Sequence, residues 1–151
     1  MLKRAMIPTM NQFEADSPYA NGNWGAIVNR FRMAAAIATE DTVMYRQAVD
    51  YYLHANDNGA LPNYVSETGQ CQETGRDQGH AQLGLSALCE ICEMAWEQGD
   101  DLWGALDNRL LKGIEYTAKY NLGYDVPFET WTDCTGLYND WTEPGAMGRG
   151  K

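Results

Sequence analysis

A short polar run, Gly75-Arg76-Asp77-Gln78-Gly79-His80, stands where a long apolar-periodic segment begins. The start of a helix offers free N–H groups and a partial positive charge, which together favour an anion. Arg76 would add a fixed cation, and His80, one of two histidines in the chain, would add a group that exchanges protons near neutral pH. The structural alternative is that Asp77 caps the helix, Arg76 is a solvated loop residue and His80 fills the first turn.

A second polar set lies on a later predicted helix. Arg109, Tyr116 and Tyr120 are spaced so that they share one face of that helix. If the predicted helices alternate in direction, the end of this helix meets the beginnings of two others, marked by Asn23 and His80. An amide, an imidazole, a guanidinium and two phenols would then gather at one end. The alternative is that both tyrosines are packing residues with a solvated hydroxyl.

This set of side chains favours one kind of chemistry. Amide, guanidinium, imidazole and phenol groups without a close carboxylate pair do not suit the usual scheme of glycoside hydrolysis. They suit β-elimination on a uronic acid, in which the sugar carboxylate is neutralised so that the neighbouring carbon can lose a proton. A histidine or a tyrosinate would take that proton, and a tyrosine hydroxyl would protonate the departing oxygen.

The hydrophobic pattern predicts an all-α protein built from two antiparallel helical hairpins. Apolar residues recur with the 3.6-residue period in four segments separated by polar or glycine-containing breaks. The loop 57–76 and the tail 124–151 lack this period, and the tail is predicted as an extended loop with room for a short strand. The predicted helices run from an N-cap at Asn23 to Ala38, from Met44 to Ala55, from about Asp77 to Gln98 and from about Asp101 to Asn121.

Composition limits the partners and cofactors. The 151 residues carry a net charge of −10 and 44% hydrophobic residues, as expected of one globular domain. No basic stripe is present, so nucleic acid is not an expected partner, and no apolar run reaches the roughly 20 residues that span a bilayer. Cys89 and Cys92 lie in a helical pattern without a second cysteine pair, so we predict no metal site and no cofactor. The sequence alone does not decide whether Cys71 and Cys134 form a disulfide.

Four long motifs, in order, resemble the alginate-lyase-domain family of polysaccharide lyases. They lie at 21–24, 48–54, 69–84 and 107–123, and the resemblance extends over about residues 20–150. It implies an (α/α) toroid, eliminative cleavage of an anionic uronate polysaccharide such as alginate or glucuronan, and a periplasmic or extracellular location. A toroid needs more than two hairpins, so residues 1–151 are expected to form a single, partial domain.

The resemblance also implies roles for individual residues. The family pattern of a neutralising Asn, a His and a Tyr corresponds to Asn23, His80 and one of Tyr116, Tyr120 and Tyr138. Further candidates for substrate binding are Arg76, Gln78, Trp24, Tyr64 and Arg109.

Three other functions stay open at this point. A binding module would hold uronates through Arg76, Trp24 and Tyr64 without chemistry. An α-hairpin scaffold for protein partners would not need His80. A hydrolase with Asp77 as its acid would produce saturated sugar ends.

Overall fold

The computed structural model describes residues 1–136 and 140–150, and every regular element within them is helical. An isolated antiparallel bridge joins Val65 and Cys71. The predicted all-α class is therefore confirmed. The α-helices of this part of the chain are α1 (Met6–Asp16), α2 (Gly22–Ala38), α3 (Thr42–His54), α4 (Leu61–Tyr64), α5 (Gln78–Glu97) and α6 (Ala105–Asn121), and 3-10 turns lie at Leu2–Arg4 and Gln72–Gly75.

The two predicted hairpins are present. Short connections join α2 to α3 and α5 to α6, and the members of each pair pack against each other. Helix α2 also packs along α5, where Arg30 forms an ion pair with Glu90 at 3.0 Å. Near the beginnings of both helices, Gly22 N donates to Gln72 Oε1 at 2.7 Å. The beginnings of α2 and α5 therefore lie at the same end, as alternating helices require.

The apolar residues that carry the helical period form the core. The largest fully buried apolar side chains of the long helices are those of Met33, Tyr52, Leu88, Ile91 and Leu110. Each such residue contributes about 1.5–3 kcal/mol by leaving water. Cys92 shares a hydrogen bond with the Tyr52 hydroxyl at 3.1 Å, in line with the predicted packing role of this cysteine.

Two helices were not predicted. Helix α1 buries only Met10, and it is attached to α2 by a stack of Phe13 on Trp24 with ring centroids 5.7 Å apart. Helix α4 is a single turn inside the segment predicted as loop, and its Leu61 and Tyr64 are wholly buried. Helix α4 is too short for a hydrophobic period to stand out, and tertiary contacts hold it. In α1, Met6, Met10 and Phe13 do have the helical spacing, and this signal was missed.

Two predicted helix starts differ from the structure. Helix α2 begins at Gly22, so Asn23 lies inside its first turn and does not cap it. The fourth predicted helix was expected from about Asp101, but α6 begins at Ala105. Asp101 instead accepts hydrogen bonds from the backbone N–H groups of Trp103 and Gly104 at 2.9 and 3.3 Å. Residues 106–108 have φ between 51° and 57°, so the regular right-handed part of α6 begins at Arg109.

The tail has no strand in its described residues, 122–136 and 140–150. Part of it folds back over the start of α5, where Gly145 N donates to Thr74 O and Gln78 N donates to Met147 O, both at 2.9 Å. We call residues 140–150 the C-terminal strap. All four cysteines are free thiols, so the disulfide left open above is not formed. None of the helices in the described ranges has the length and apolar character needed to cross a membrane.

Candidate active site

The start of α5 is fixed by an aspartate that also binds the neighbouring histidine. Asp77 has extended backbone angles, and its Oδ1 accepts from the backbone N–H of His80 at 2.8 Å, which is the predicted N-cap. Its Oδ2 lies 2.6 Å from Nδ1 of the His80 ring. A carboxylate at that distance favours the ring form that carries its proton on Nδ1. Nε2 of His80 is then left as a proton acceptor.

Arg76 lies between two carboxylates at this end. Its Nη1 is 3.4 Å from Glu73 Oε2, and its Nε is 3.8 Å from Asp77 Oδ2. The side chains of Arg76 and His80 stay 34% and 35% exposed, while Glu73 and Asp77 are buried. The two groups that can act on an outside molecule are therefore at the surface, and the two that hold them are below it.

The two carboxylates differ in their pKa values. Burial raises the pKa of Glu73, although the Arg76 guanidinium opposes this effect. Burial also acts to raise the pKa of Asp77, but the hydrogen bonds from the His80 backbone and ring outweigh it and lower that pKa. Asp77 is thus held as the charged partner of His80.

The end of α6 joins this site through amide side chains. Asn121 Nδ2 donates to Gln78 Oε1 at 2.8 Å, and Gln78 Nε2 donates to Gly145 O of the C-terminal strap at 3.0 Å. The Tyr120 hydroxyl donates to Pro144 O at 3.1 Å, and the Arg149 guanidinium lies over the Tyr120 ring at 4.1 Å from its centroid. The structure thus brings Gln78 and Tyr120 together with His80 at one end, joined by the strap.

Buried side chains support the site from beneath. The wholly buried Tyr64 donates from its hydroxyl to the backbone of His80 and Ala81 at 3.3 and 3.4 Å. Gly84 permits this contact, because a Cβ there would overlap the Tyr64 hydroxyl. Asn23 is only 1% exposed, and its Oδ1 has no hydrogen-bond partner among the residues described. Neither Tyr64 nor Asn23 presents its side chain to solvent in this structure.

The other predicted site residues lie elsewhere or outside the described part. The Tyr116 hydroxyl donates to Pro127 O at 2.5 Å, and burial raises the pKa of Tyr116. Trp24 is half exposed and stacks on α1. Arg109 donates to Val65 O at 3.1 Å and is twelve residues from Asn121, about 18 Å along α6. Tyr138 lies outside the described residues.

Sequence reasoning missed several residues of the site. Glu73 and Asn121 were not singled out, although Glu73 stands three residues before Arg76 and Asn121 directly follows Tyr120. Trp141 of the C-terminal strap was also missed. It packs on Gly75, where a Cβ would overlap the Trp141 side chain. The strap contacts depend on a fold-back of the chain for which the sequence has no periodic signal.

Together these observations define an all-helical hairpin protein with an arginine, a carboxylate and a histidine linked at one helix start. Within 1–136 and 140–150 no group of three His, Cys, Asp or Glu side chains could hold a metal ion. The family model for alginate lyase matches residues 4–127, and the chain belongs to that family. None of the curated proteins and none of the solved structures shows significant similarity to the chain.

Proposed function

We propose that this protein takes part in cleaving a uronic-acid-containing polysaccharide of the alginate or glucuronan type by β-elimination. The observation that carries the proposal is the hydrogen bond between Asp77 and the His80 ring, with Arg76 beside it, in a member of the alginate lyase family. We further propose that the two hairpins form part of an (α/α) toroid and that the protein acts in the periplasm or outside the cell.

Arg76 neutralises the carboxylate of the uronate in this mechanism. Its guanidinium can pair with a carboxylate through two parallel hydrogen bonds. Once neutralised, that carboxylate can accept the charge that develops when the adjacent C5 loses its proton. Glu73, buried behind Arg76, is assigned to holding the guanidinium in position.

His80 is the proposed base. Its Nε2 takes the proton from C5, and the electron pair of that C–H bond forms the C4–C5 double bond as the C4–O bond breaks. Asp77 stabilises the imidazolium that results, as a carboxylate on the far ring nitrogen does in other histidine bases. The leaving oxygen then needs one proton.

A tyrosine is the proposed proton donor, and the candidates we retain are Tyr120, at the same end as His80, and Tyr138, which lies outside the described residues. Tyr120 lies beside the Gln78 contacts, although its hydroxyl donates to Pro144 O, which a substrate oxygen would have to replace. Tyr116 is set aside, because its hydroxyl donates to Pro127 O and burial raises its pKa, which disfavours a tyrosinate. Asn23 and Tyr64 are assigned to support of the site, since they are 1% and 0% exposed, whereas Tyr120 keeps 8% of its surface.

The test is the ultraviolet absorbance of the new conjugated double bond, with alginate, glucuronan and pectate as substrates. It is run on this chain and on any longer protein that carries it. We expect product with at least one substrate, its loss in His80→Gln, and its retention in His54→Gln, since His54 is exposed at the end of α3. Saturated reducing ends instead of unsaturated products would indicate hydrolysis. Binding without any product would indicate a binding module.

A further inference from the structure

A polar cleft of about 370 Å³ lies beside the first part of α6, away from His80. Its walls come from four separate parts of the chain: Pro62 of α4, the turn at 66–70, Arg109 of α6, and the tail segment 129–132. The hydroxyl groups of Ser66, Thr68 and Thr130 line it together with the half-buried indole of Trp131. Arg109 is about 18 Å along α6 from the residue that contacts Gln78, so this cleft is distinct from the proposed catalytic end.

The walls of the cleft are held in place by hydrogen bonds. Gln70 is almost wholly buried, and its side chain donates to Glu129 O at 2.7 Å and accepts from Glu129 N at 2.9 Å. Arg109 Nη1 donates to Val65 O at 3.1 Å, and the Arg109 side chain is only 14% exposed. The turn, the helix and the tail are therefore joined without a ligand, as expected of a preformed site.

Two buried donors in these walls lack an acceptor. Nε of Arg109 and Nε1 of Trp131 are both shielded from solvent, and neither has a hydrogen-bond partner among the described residues. Buried N–H groups are nearly always paired, because an unpaired one has lost its water without replacement. Two such donors lining one cleft indicate a molecule that supplies oxygen acceptors.

The charges around the cleft narrow the class of that molecule. Glu67, 3.5 Å from Arg109 Nη2, and Glu129 are exposed at the rim, so one cation faces two carboxylates. Arg109 already pairs with Glu67, so the cleft suits the hydroxyl groups of a sugar ring, and a uronate ring would bind there with its carboxylate directed away from the rim. An indole beside hydroxyl groups suits a sugar ring, which presents an apolar face and polar edges.

We propose that this cleft is a carbohydrate-binding subsite, in which a sugar ring packs against Trp131 and a rotation of the Trp131 and Arg109 side chains brings their unpaired N–H groups to the sugar oxygens. The proposal rests on the proposed function only for the identity of the sugar. A polymer chain bound at both places would be held far from the point of cleavage, so the cleft would raise affinity for long substrates and leave short ones unaffected.

Isothermal titration with alginate, glucuronan and cello-oligosaccharides of defined length tests the proposal. We expect Trp131→Ala to weaken binding of the long oligosaccharides about tenfold and Trp131→Phe, which keeps a ring but loses the N–H, to weaken it less. Trp96→Phe is the matched control, because Trp96 is exposed on α5. Circular dichroism establishes that each variant is folded. Arg109→Lys keeps the charge and removes Nε, and we expect it also to weaken the binding of the long oligosaccharides.

The outcomes separate this proposal from the proposed function. Binding that depends on Trp131, in a protein without lyase activity on any substrate, supports the subsite and contradicts the lyase. Lyase activity together with wild-type affinity of both Trp131→Ala and Arg109→Lys for every oligosaccharide overturns the subsite and leaves the lyase standing. Equal weakening in Trp96→Phe would also overturn it, because the effect would then not belong to the cleft.

Discussion

The two polar regions beside α6 differ in what their groups can do. At the start of α5, Arg76, Asp77 and His80 are linked through contacts of 2.6 to 3.8 Å, and one member is an imidazole that can take up a proton. In the cleft near Arg109, the donors are a guanidinium, an indole and hydroxyls, none of which exchanges protons readily at neutral pH. The comparison suggests that the first region is suited to chemistry and the second only to binding.

The largest expected effect is that substitutions in the two regions change different properties, turnover in the first region and binding of long substrates in the second. His80→Gln should lower the turnover of substrate by about 10²–10⁴, the usual contribution of a positioned acid or base, while binding of long oligosaccharides stays within about twofold. Trp131→Ala should instead weaken the binding of long oligosaccharides and leave the turnover of short substrates unchanged. Initial rates and titrations on the same preparations measure both. If Trp131→Ala lost as much turnover on short substrates as His80→Gln does, the distinction between a catalytic region and a binding region would be wrong.

Arg76→Gln is expected to have the next largest effect. Removal of the charge that stabilises the deprotonated intermediate should lower kcat/KM by about 10²–10³, the range seen when one preorganised donor is lost. Arg30→Gln is a close control, because Arg30 has the same side-chain exposure of 34% and also pairs with a glutamate. Steady-state kinetics of both variants decide the point. Similar losses in the two would mean that any arginine of this protein has the same general effect.

The sequence predicted the first region better than the second for a physical reason. The Asp77 cap is local and was predicted from residue spacing, whereas the contact of its other carboxylate oxygen with the His80 ring, although also local, was not predicted. The apolar period of α5 likewise follows from the sequence. Because α5 and α6 are antiparallel neighbours, the start of α5 lies at the end where α6 finishes. The cleft depends on Gln70 binding Glu129, 59 residues away, and no local pattern predicts such a pairing.

The same reasoning explains why residues within the site were predicted unequally. Asn23 was expected as a cap, but Asn21 occupies that position and Asn23 is buried in the first turn. The offset is two residues, each residue turns a helix position by about 100°, and spacing rules cannot locate helix ends that closely. Tyr64 was expected to bind substrate, yet Gly84 leaves space for it beneath α5, where it is wholly buried. That space becomes visible only when the helices are packed.

A smaller effect separates the two roles of Asp77. Asp41 caps α3 as Asp77 caps α5, by accepting from Met44 N at 2.9 Å. Asp41→Ala and Asp77→Ala should each lower the free energy of unfolding by about 0.5–2 kcal/mol. Only Asp77→Ala should also lose turnover, because only that aspartate binds a histidine ring. Urea unfolding and kinetics of both variants test this, and normal turnover in Asp77→Ala would reduce Asp77 to a cap.

The smallest expected effect concerns the buried carboxylate behind Arg76. Because the pKa of Glu73 is raised in the folded protein, the folded state keeps a proton there that the unfolded state has already lost. As the pH rises from the unfolded pKa of this group to its folded pKa, the wild type therefore loses stability relative to Glu73→Gln. The slope cannot exceed about 1.4 kcal/mol per pH unit for one proton, and above the folded pKa the difference becomes constant.

Urea unfolding of the wild type and Glu73→Gln at a series of pH values from about 4 to 8 measures this difference. Glu93→Gln, at an exposed position on the same helix as His80, controls for the change in net charge. A stability difference between Glu73→Gln and wild type that does not change with pH would mean that Glu73 is ionised in the folded state as readily as in the unfolded one. Arg76 would then be held by an ordinary ion pair with an ionised Glu73, and the raised pKa of Glu73 would be contradicted.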